Sequence, residues 1–155
     1  MKIDRYLLDT NILLRLTDQA DTDHATTMAA VRKLVATGAL LHTCSQNMIE
    51  YRVVSTRPVQ NNGFGFTSAD AAKDIAKYDR MFPVLLDSTT PIDVYPIWRR
   101  LVEGAGTVGK PNHDARILAV AEAHGCTHLL TFNPRDFVRY ASLSPGIAIV
   151  NPHDV

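Results

Sequence analysis

A chain of 155 residues is about one domain long, and its ordinary mix of 46% hydrophobic and 21% charged residues excludes a disordered or fibrous protein. No apolar run approaches the roughly 20 residues that span a bilayer, and MKIDRYLLD lacks the apolar segment and cleavage site of a secretory signal, so the cytoplasm is the expected location. Lys plus Arg balance Asp plus Glu at 16 each, and the two isolated cysteines, Cys44 and Cys126, suggest neither a zinc cluster nor a disulfide framework.

The first apolar run, RYLL (5–8), reads as a buried strand that stops at Asp9 and resumes as a helix near 11–18. A second helical pattern covers 22–37 and leads into the strand LLHTC (40–44). Ser45 then stands where an N-cap belongs, before a helix over 46–56. RPVQNNGFGF (57–66) has the Gly and Asn of an irregular, movable connection, and a helix follows at 68–81. PVLL (83–86) is the third strand, with Asp87 as the cap of a helix over 90–103. A second loop, EGAGTVGKPN (103–112), separates this helix from another at 113–124. THLLTF (127–132), a short helix near 134–141 and GIAIV (146–150) complete the chain. Five strands alternating with helices predict an α/β domain over residues 1–155, its parallel sheet covered on both faces. Such sheets bind ligands beyond the carboxyl ends of their strands.

The residues at those ends are acidic or amide. Asp9 is an N-cap, a metal ligand, or both, since the two roles are compatible. Glu50 lies in the second turn of SQNMIEYRVVSTRP, either as a surface glutamate or as a functional acid sharing one helix face with Arg57 two turns on. Asp114 opens HDARILAVAEAHG, where it complements the helix dipole. On a helical wheel it also falls in the arc of Ile117, Leu118 and Ala121, so it points toward the body, where an ionised carboxylate needs a partner or a metal. In TFNPRDF, Asn133 follows the fourth strand as a cap or turn residue and Asp136 comes one turn later. Acids brought together repel unless a divalent cation neutralises them, and hard oxygen donors select magnesium or manganese over zinc.

Taken in order, the block Asp9-Thr10-Asn11, QNMIEYRVVSTRP with Glu50, NHDARILAVAEAHG with Asp114, and LLTFNPRDF resemble a PIN-domain ribonuclease of the VapC toxin type over nearly the whole chain. The resemblance implies a three-layer α/β/α fold with a parallel four- or five-stranded sheet. It also implies an endoribonuclease that uses Mg2+, or Mn2+ as substitute, to cut transfer or ribosomal RNA. A VapB-like antitoxin and a homodimer are the implied partners. Matched residue by residue, Asp9, Glu50 and Asp114 stand at the catalytic, metal-binding positions, and Thr10 and Asn11 at the polar positions that orient metal waters or the phosphate. Asn133 departs from the pattern, because many relatives have an aspartate there. The amide oxygen can hold a metal-bound water but adds no charge, so a single tight ion with a weaker or substrate-recruited second is expected, with Asn133 and Asp136 as further candidate ligands.

Around this site Arg57, Lys110 and Arg116 are candidate phosphate contacts, or solvated surface charges. His113 is a general base or an exposed side chain, and Phe64 and Phe66 stack on unpaired bases, tuck their loop down or meet a partner. Asn11 stands where a haloacid-dehalogenase phosphatase needs its second aspartate, which argues against that class. A two-component receiver domain lacks its acidic pair and its lysine here. The competing functions are a PIN nuclease of RNA processing and a metal-impaired PIN-like RNA-binding or scaffold module.

Overall fold

The computed structural model describes residues 2–87 and 93–155. Its sheet has five parallel strands: β1 (Arg5–Leu8), β2 (Leu40–Cys44), β3 (Val84–Leu85), β4 (His128–Leu130) and β5 (Ala148–Val150). Their spatial order is β3-β2-β1-β4-β5. Strand β1 is central because RYLL carries apolar groups to both faces, as the pleat requires of a strand covered on each side. Tyr6 and Leu8 enter one core with Leu41 and Leu130, whereas Leu7 enters the other with Cys44 and Leu129.

Four helices cover the first face: α1 (Thr10–Thr17), α2 (His24–Ala36), α3 (Ser45–Thr56) and α4 (Ser68–Met81). They bring Ile12, Leu13, Val31, Leu34, Tyr51 and Tyr78 to the core. Helices α5 (Val94–Ala105) and α6 (Pro111–Ala123) cover the second face with Val94, Leu101, Ile117 and Leu118 among others. Two cores on opposite sides of one sheet make the expected three-layer α/β/α domain. From β1 the chain winds outward through β2 and β3, then returns to wind the other way through β4 and β5. The winding reverses between β1 and β4, and such sheets bind ligands beyond the carboxyl ends of the strands at that point.

Several local expectations are corrected. Ser45 is the first residue of α3 and not its cap; Cys44 is the cap, and the Asn47 side chain accepts its backbone N–H at 2.8 Å. Asp87 accepts from Ser45 Oγ and pairs with Arg116, so its carboxylate serves α3 and α6. The described part of its expected helix runs from Val94 after the cap residue Asp93, and residues 90–92 lie outside the described residues. Instead of one helix near 134–141 there are two 3-10 turns, Pro134–Asp136 and Val138–Tyr140. Three residues per turn place Phe137 and Tyr140 above one another in the same core, where both are fully buried.

The 57–66 connection is ordered. Arg57 is extended, and the chain doubles back on α3 with Gly65 N–H donating to Arg57 O at 2.8 Å and Phe66 N–H to Ser55 O at 2.9 Å. Gly63 is required at the close approach, since a Cβ there would lie 2.0 Å from Arg57 O.

Candidate active site

Asp9 ends β1 and caps α1, its Oδ1 accepting the Thr10 N–H at 2.7 Å. Its Oδ2 accepts from the Thr131 hydroxyl at 2.7 Å and from Asn11 Nδ2 at 3.2 Å. A carboxylate has about four acceptor sites, so these three donors leave one on Oδ1. The side chain is buried, and burial pushes its acid up to about 6 against the pull of Thr131 and the Thr10 N–H. The charges of Glu50 and Asp114 push in the same direction as burial.

Glu50 is half-buried in the second turn of α3. Thr10 Oγ1 donates to its Oε2 at 2.6 Å and Gln46 Nε2 to its Oε1 at 2.7 Å. Each oxygen keeps one acceptor site by the same count. Asp114, in the first turn of α6, is half-buried, and no hydrogen bond or ion pair from the described residues reaches its carboxylate. Burial again raises its acid, to about 6, followed by the charges of Asp136 and Glu50, with Lys110 and His113 opposing.

Glu50 and Asp114 thus act on Asp9, and Glu50 and Asp136 on Asp114, although the four acids come from four separate segments. Oxygen donors alone, two of them made weaker acids by burial and mutual repulsion, fit a hard divalent cation that offsets both costs. Among the described residues no three Asp, Glu, His or Cys side chains close within ligating reach of one point, so the donor set stands open.

The remaining candidates divide. Asn133 is exposed; its N–H donates to Thr131 Oγ1 and its carbonyl accepts from Asp136 N–H, while its amide makes no cap bond. Asp136 is half-buried beside Asp114. Thr10 and Asn11 act as struts rather than open polar contacts. Thr10 bridges to Glu50, and Asn11 joins Asp9 to the Phe132 N–H, which its Oδ1 accepts at 3.3 Å. Lys110 is exposed and near enough to lower the Asp114 acid. Arg57 lies beyond the end of α3, so it does not share a helix face with Glu50. Arg116 is committed: Nη2 pairs with Asp87 at 2.7 Å and Nη1 donates to Gln46 Oε1 at 3.1 Å. His113 is exposed beside Asp114, and Phe64 and Phe66 are half-buried against each other at 5.4 Å.

Three residues escaped the sequence reading. Thr131 is fully buried and holds Asp9 Oδ2. Pairing of Leu8 with Leu130 puts Thr131 level with Asp9, and a hydroxyl interrupting LLTF was its only signal. Gln46 and Asn47 are buried and bonded into the site, which their place in a helix start does not disclose.

The fold is a doubly wound α/β domain with Asp9 at the point where its winding reverses. The chain belongs to the PIN-domain family, whose model matches residues 6–143. Among solved structures, VapBC-1 of nontypeable Haemophilus influenzae is similar at 16% identity and a TM-score of 0.66, covering 96% of this chain and 98% of that one. VapBC2 of Rickettsia felis, solved with a DNA fragment from its promoter, is 17% identical with a TM-score of 0.64, covering 95% and 98%. VapC20 of Mycobacterium tuberculosis, described as a sarcin-ricin loop cleaving toxin, is 17% identical with a TM-score of 0.55, covering 80% and 86%. At these identities the likeness is one of fold. No curated protein matches the sequence, and no helix among the described residues is long and apolar enough to cross a membrane.

Proposed function

We propose that this PIN domain is a divalent-metal-dependent endoribonuclease and the toxin of a type II toxin-antitoxin pair, held in check by a VapB-like antitoxin. The observation that supports the reading is that Glu50 and Asp114 raise the Asp9 acid, and Glu50 and Asp136 the Asp114 acid, next to the switch point of the sheet. The fold likeness to VapBC assemblies and to an RNA-cleaving VapC supports the toxin assignment.

In this reading Asp9 and Asp114 hold the ion, with Asp136 beside Asp114. Magnesium or manganese, when bound, supplies charge to the phosphate oxygens and activates the attacking water. The chain's own groups prepare that step. Asp9 is fixed by three donors and keeps one acceptor site, so the direction in which it offers electrons is set before a ligand arrives. Glu50 keeps one site on each oxygen and orients a water or completes the ligand set. Lys110 provides a cation for the RNA backbone at the mouth of the site. Asn133 brings a neutral amide where a further acid would add charge, which favours one tight ion over two.

The test is cleavage of single-stranded RNA by the purified chain, with magnesium, with EDTA, and for Asp9→Asn. Loss of at least a hundredfold in both controls is expected for a hydrolysis that depends on this centre. Growth arrest on expression, relieved by Asp9→Asn and by a small neighbouring gene, tests the toxin role. Metal-dependent cleavage without growth arrest assigns the chain to RNA processing, and RNA binding without cleavage assigns it to a scaffold.

A further inference from the structure

Acids on separate elements serve one ion only if something holds their spacing. Between Glu50 and the other two ligands stand two neighbouring amides, Gln46 and Asn47, at 6% and 0% exposure. Their hydrogen bonds run toward different elements, and the direction of each bond is determined.

Asn47 comes first. Its Oδ1 accepts the Cys44 N–H at 2.8 Å, and since a backbone N–H only donates, the amide cannot be reversed. Nδ2 must then donate to Thr10 Oγ1, at 3.1 Å. With that acceptor site filled, the Thr10 hydroxyl sends its own hydrogen to Glu50 Oε2 at 2.6 Å, a length that fits a charge-assisted bond. A cap bond at the start of α3 thus decides which way a hydroxyl on α1 points.

Gln46 is fixed from the other side. Its Nε2 donates to the His113 carbonyl at 2.9 Å, and a carbonyl only accepts. Its Oε1 accepts from Arg116 Nη1, and a guanidinium only donates. The same Nε2 therefore presents a hydrogen to Glu50 Oε1 at 2.7 Å. Residues 46 and 50 lie four apart on one helix face, which allows this contact. The Arg116–Asp87 pair, with Ser45 on the far oxygen of Asp87, braces the arrangement from behind.

We propose that Gln46 and Asn47 are positioning residues for the metal centre: Asn47, through Thr10, ties Glu50 to the helix that Asp9 caps, and Gln46 ties Glu50 to the first turn of the helix that carries Asp114. Only an amide fits either place, because each must receive a hydrogen at one end and deliver one at the other. A carboxylate at 47 would accept from Thr10 and turn its hydrogen away from Glu50. A carboxylate at 46 would face both Glu50 and the His113 carbonyl. Leucine or methionine would keep the shape and break the bonds.

This inference rests on the metal-dependent reading, and one experiment separates the two. Manganese affinity of the full chain is measured by electron paramagnetic resonance for the wild type, Gln46→Met, Asn47→Ala, Thr10→Val and the Asn47→Ala/Thr10→Val double variant. Each single variant is expected to bind manganese about tenfold more weakly, the usual cost of removing a group that orients a ligand. The double variant is expected to be no weaker than the weaker single one, because Asn47 acts through Thr10. Thr10→Ser, which keeps the hydroxyl, restores affinity. A wild type that binds no manganese overturns the metal reading. A wild type that binds, with Gln46→Met and Thr10→Val binding equally well, overturns the positioning role. Additive losses in the double variant overturn the route through Thr10. Asn47→Ala also removes a cap; if it does not fold, Gln46→Met and Thr10→Val, which touch no cap, decide the matter.

Discussion

Removing the charge of Asp9 should make the metal-free protein more stable. Burial raises this acid from 3.8 to about 6. At about 1.4 kcal/mol per tenfold change, ionised Asp9 costs the metal-free fold about 3 kcal/mol. Asp9→Asn deletes that cost and keeps the shape, and its carbonyl can still accept the Thr10 N–H. The new amide, however, meets Asn11 Nδ2 and the Thr131 hydroxyl, whose two lone pairs already take the Asn133 N–H and Asn11 Nδ2, so donors face one another where Oδ2 had accepted. That conflict takes back about 1 kcal/mol. The net gain of about 2 kcal/mol raises the midpoint of a domain this size by about 4–8 °C.

The sign of the pH dependence follows from the direction of the shift. An acid raised on folding leaves the native state binding more protons than the unfolded chain between 3.8 and about 6. Its destabilising effect is complete above about 6, declines as pH falls through that window, and is absent below 3.8. Thermal unfolding in EDTA should therefore show the Asp9→Asn advantage at about pH 7.5 and a smaller one at about pH 5. Adding magnesium should stabilise the wild type selectively and narrow or reverse the order, because only the carboxylate centre binds it well. A variant less stable than the wild type in EDTA at about pH 7.5, or an advantage that does not change with pH, would refute the reasoning.

Other substitutions probe separate parts of the molecule. Thr131→Val keeps the shape but removes the donor to Asp9 Oδ2 and the acceptor of the Asn133 N–H. It should cost about 1–3 kcal/mol in denaturant unfolding and raise the Asp9 acid further, since Thr131 opposes the effect of burial. Tyr51→Phe removes a hydroxyl that donates to Asp74 at 2.7 Å and meets Thr17 at 3.0 Å, linking α3 to α4 and α1. A loss of about 1–2 kcal/mol is expected by the same measurement, with manganese affinity within about twofold of the wild type. Gly63→Ala forces a methyl to within 2.0 Å of the Arg57 carbonyl and should cost at least about 2 kcal/mol, again without weakening metal binding. Equal stability of that variant would show that the return of the chain onto α3 is not needed for the fold.

The strands and most helices were legible because their signals are local. Apolar runs such as RYLL and LLHTC end in polar residues, and the long periodic stretch after Asn112 is a helix under any packing. Errors fell where tertiary contacts outweigh local preference. Ser45 has the chemistry of a cap, yet Asn47 closes the helix start and Ser45 turns to Asp87. The segment after Asn133 has helical composition, yet seating both Phe137 and Tyr140 in one core imposes a three-residue turn. Arg57 keeps helical spacing from Glu50 on paper, but the backbone turns extended at that residue to meet Gly65.

The sequence by itself determined the layered α/β plan and singled out Asp9, which breaks an apolar run, Asp114, which falls in the apolar arc of its helix, and Glu50, through the resemblance of its block. Only the tertiary structure decided what surrounds those acids. Thr131 reaches Asp9 across 122 positions and Gln46 reaches the His113 carbonyl across 67, distances over which sequence spacing carries no geometric information. It likewise decided that Arg116 faces Asp87 rather than solvent. Which donors point at a carboxylate depends on strand register and helix docking, and both are settled by the packing of the two cores.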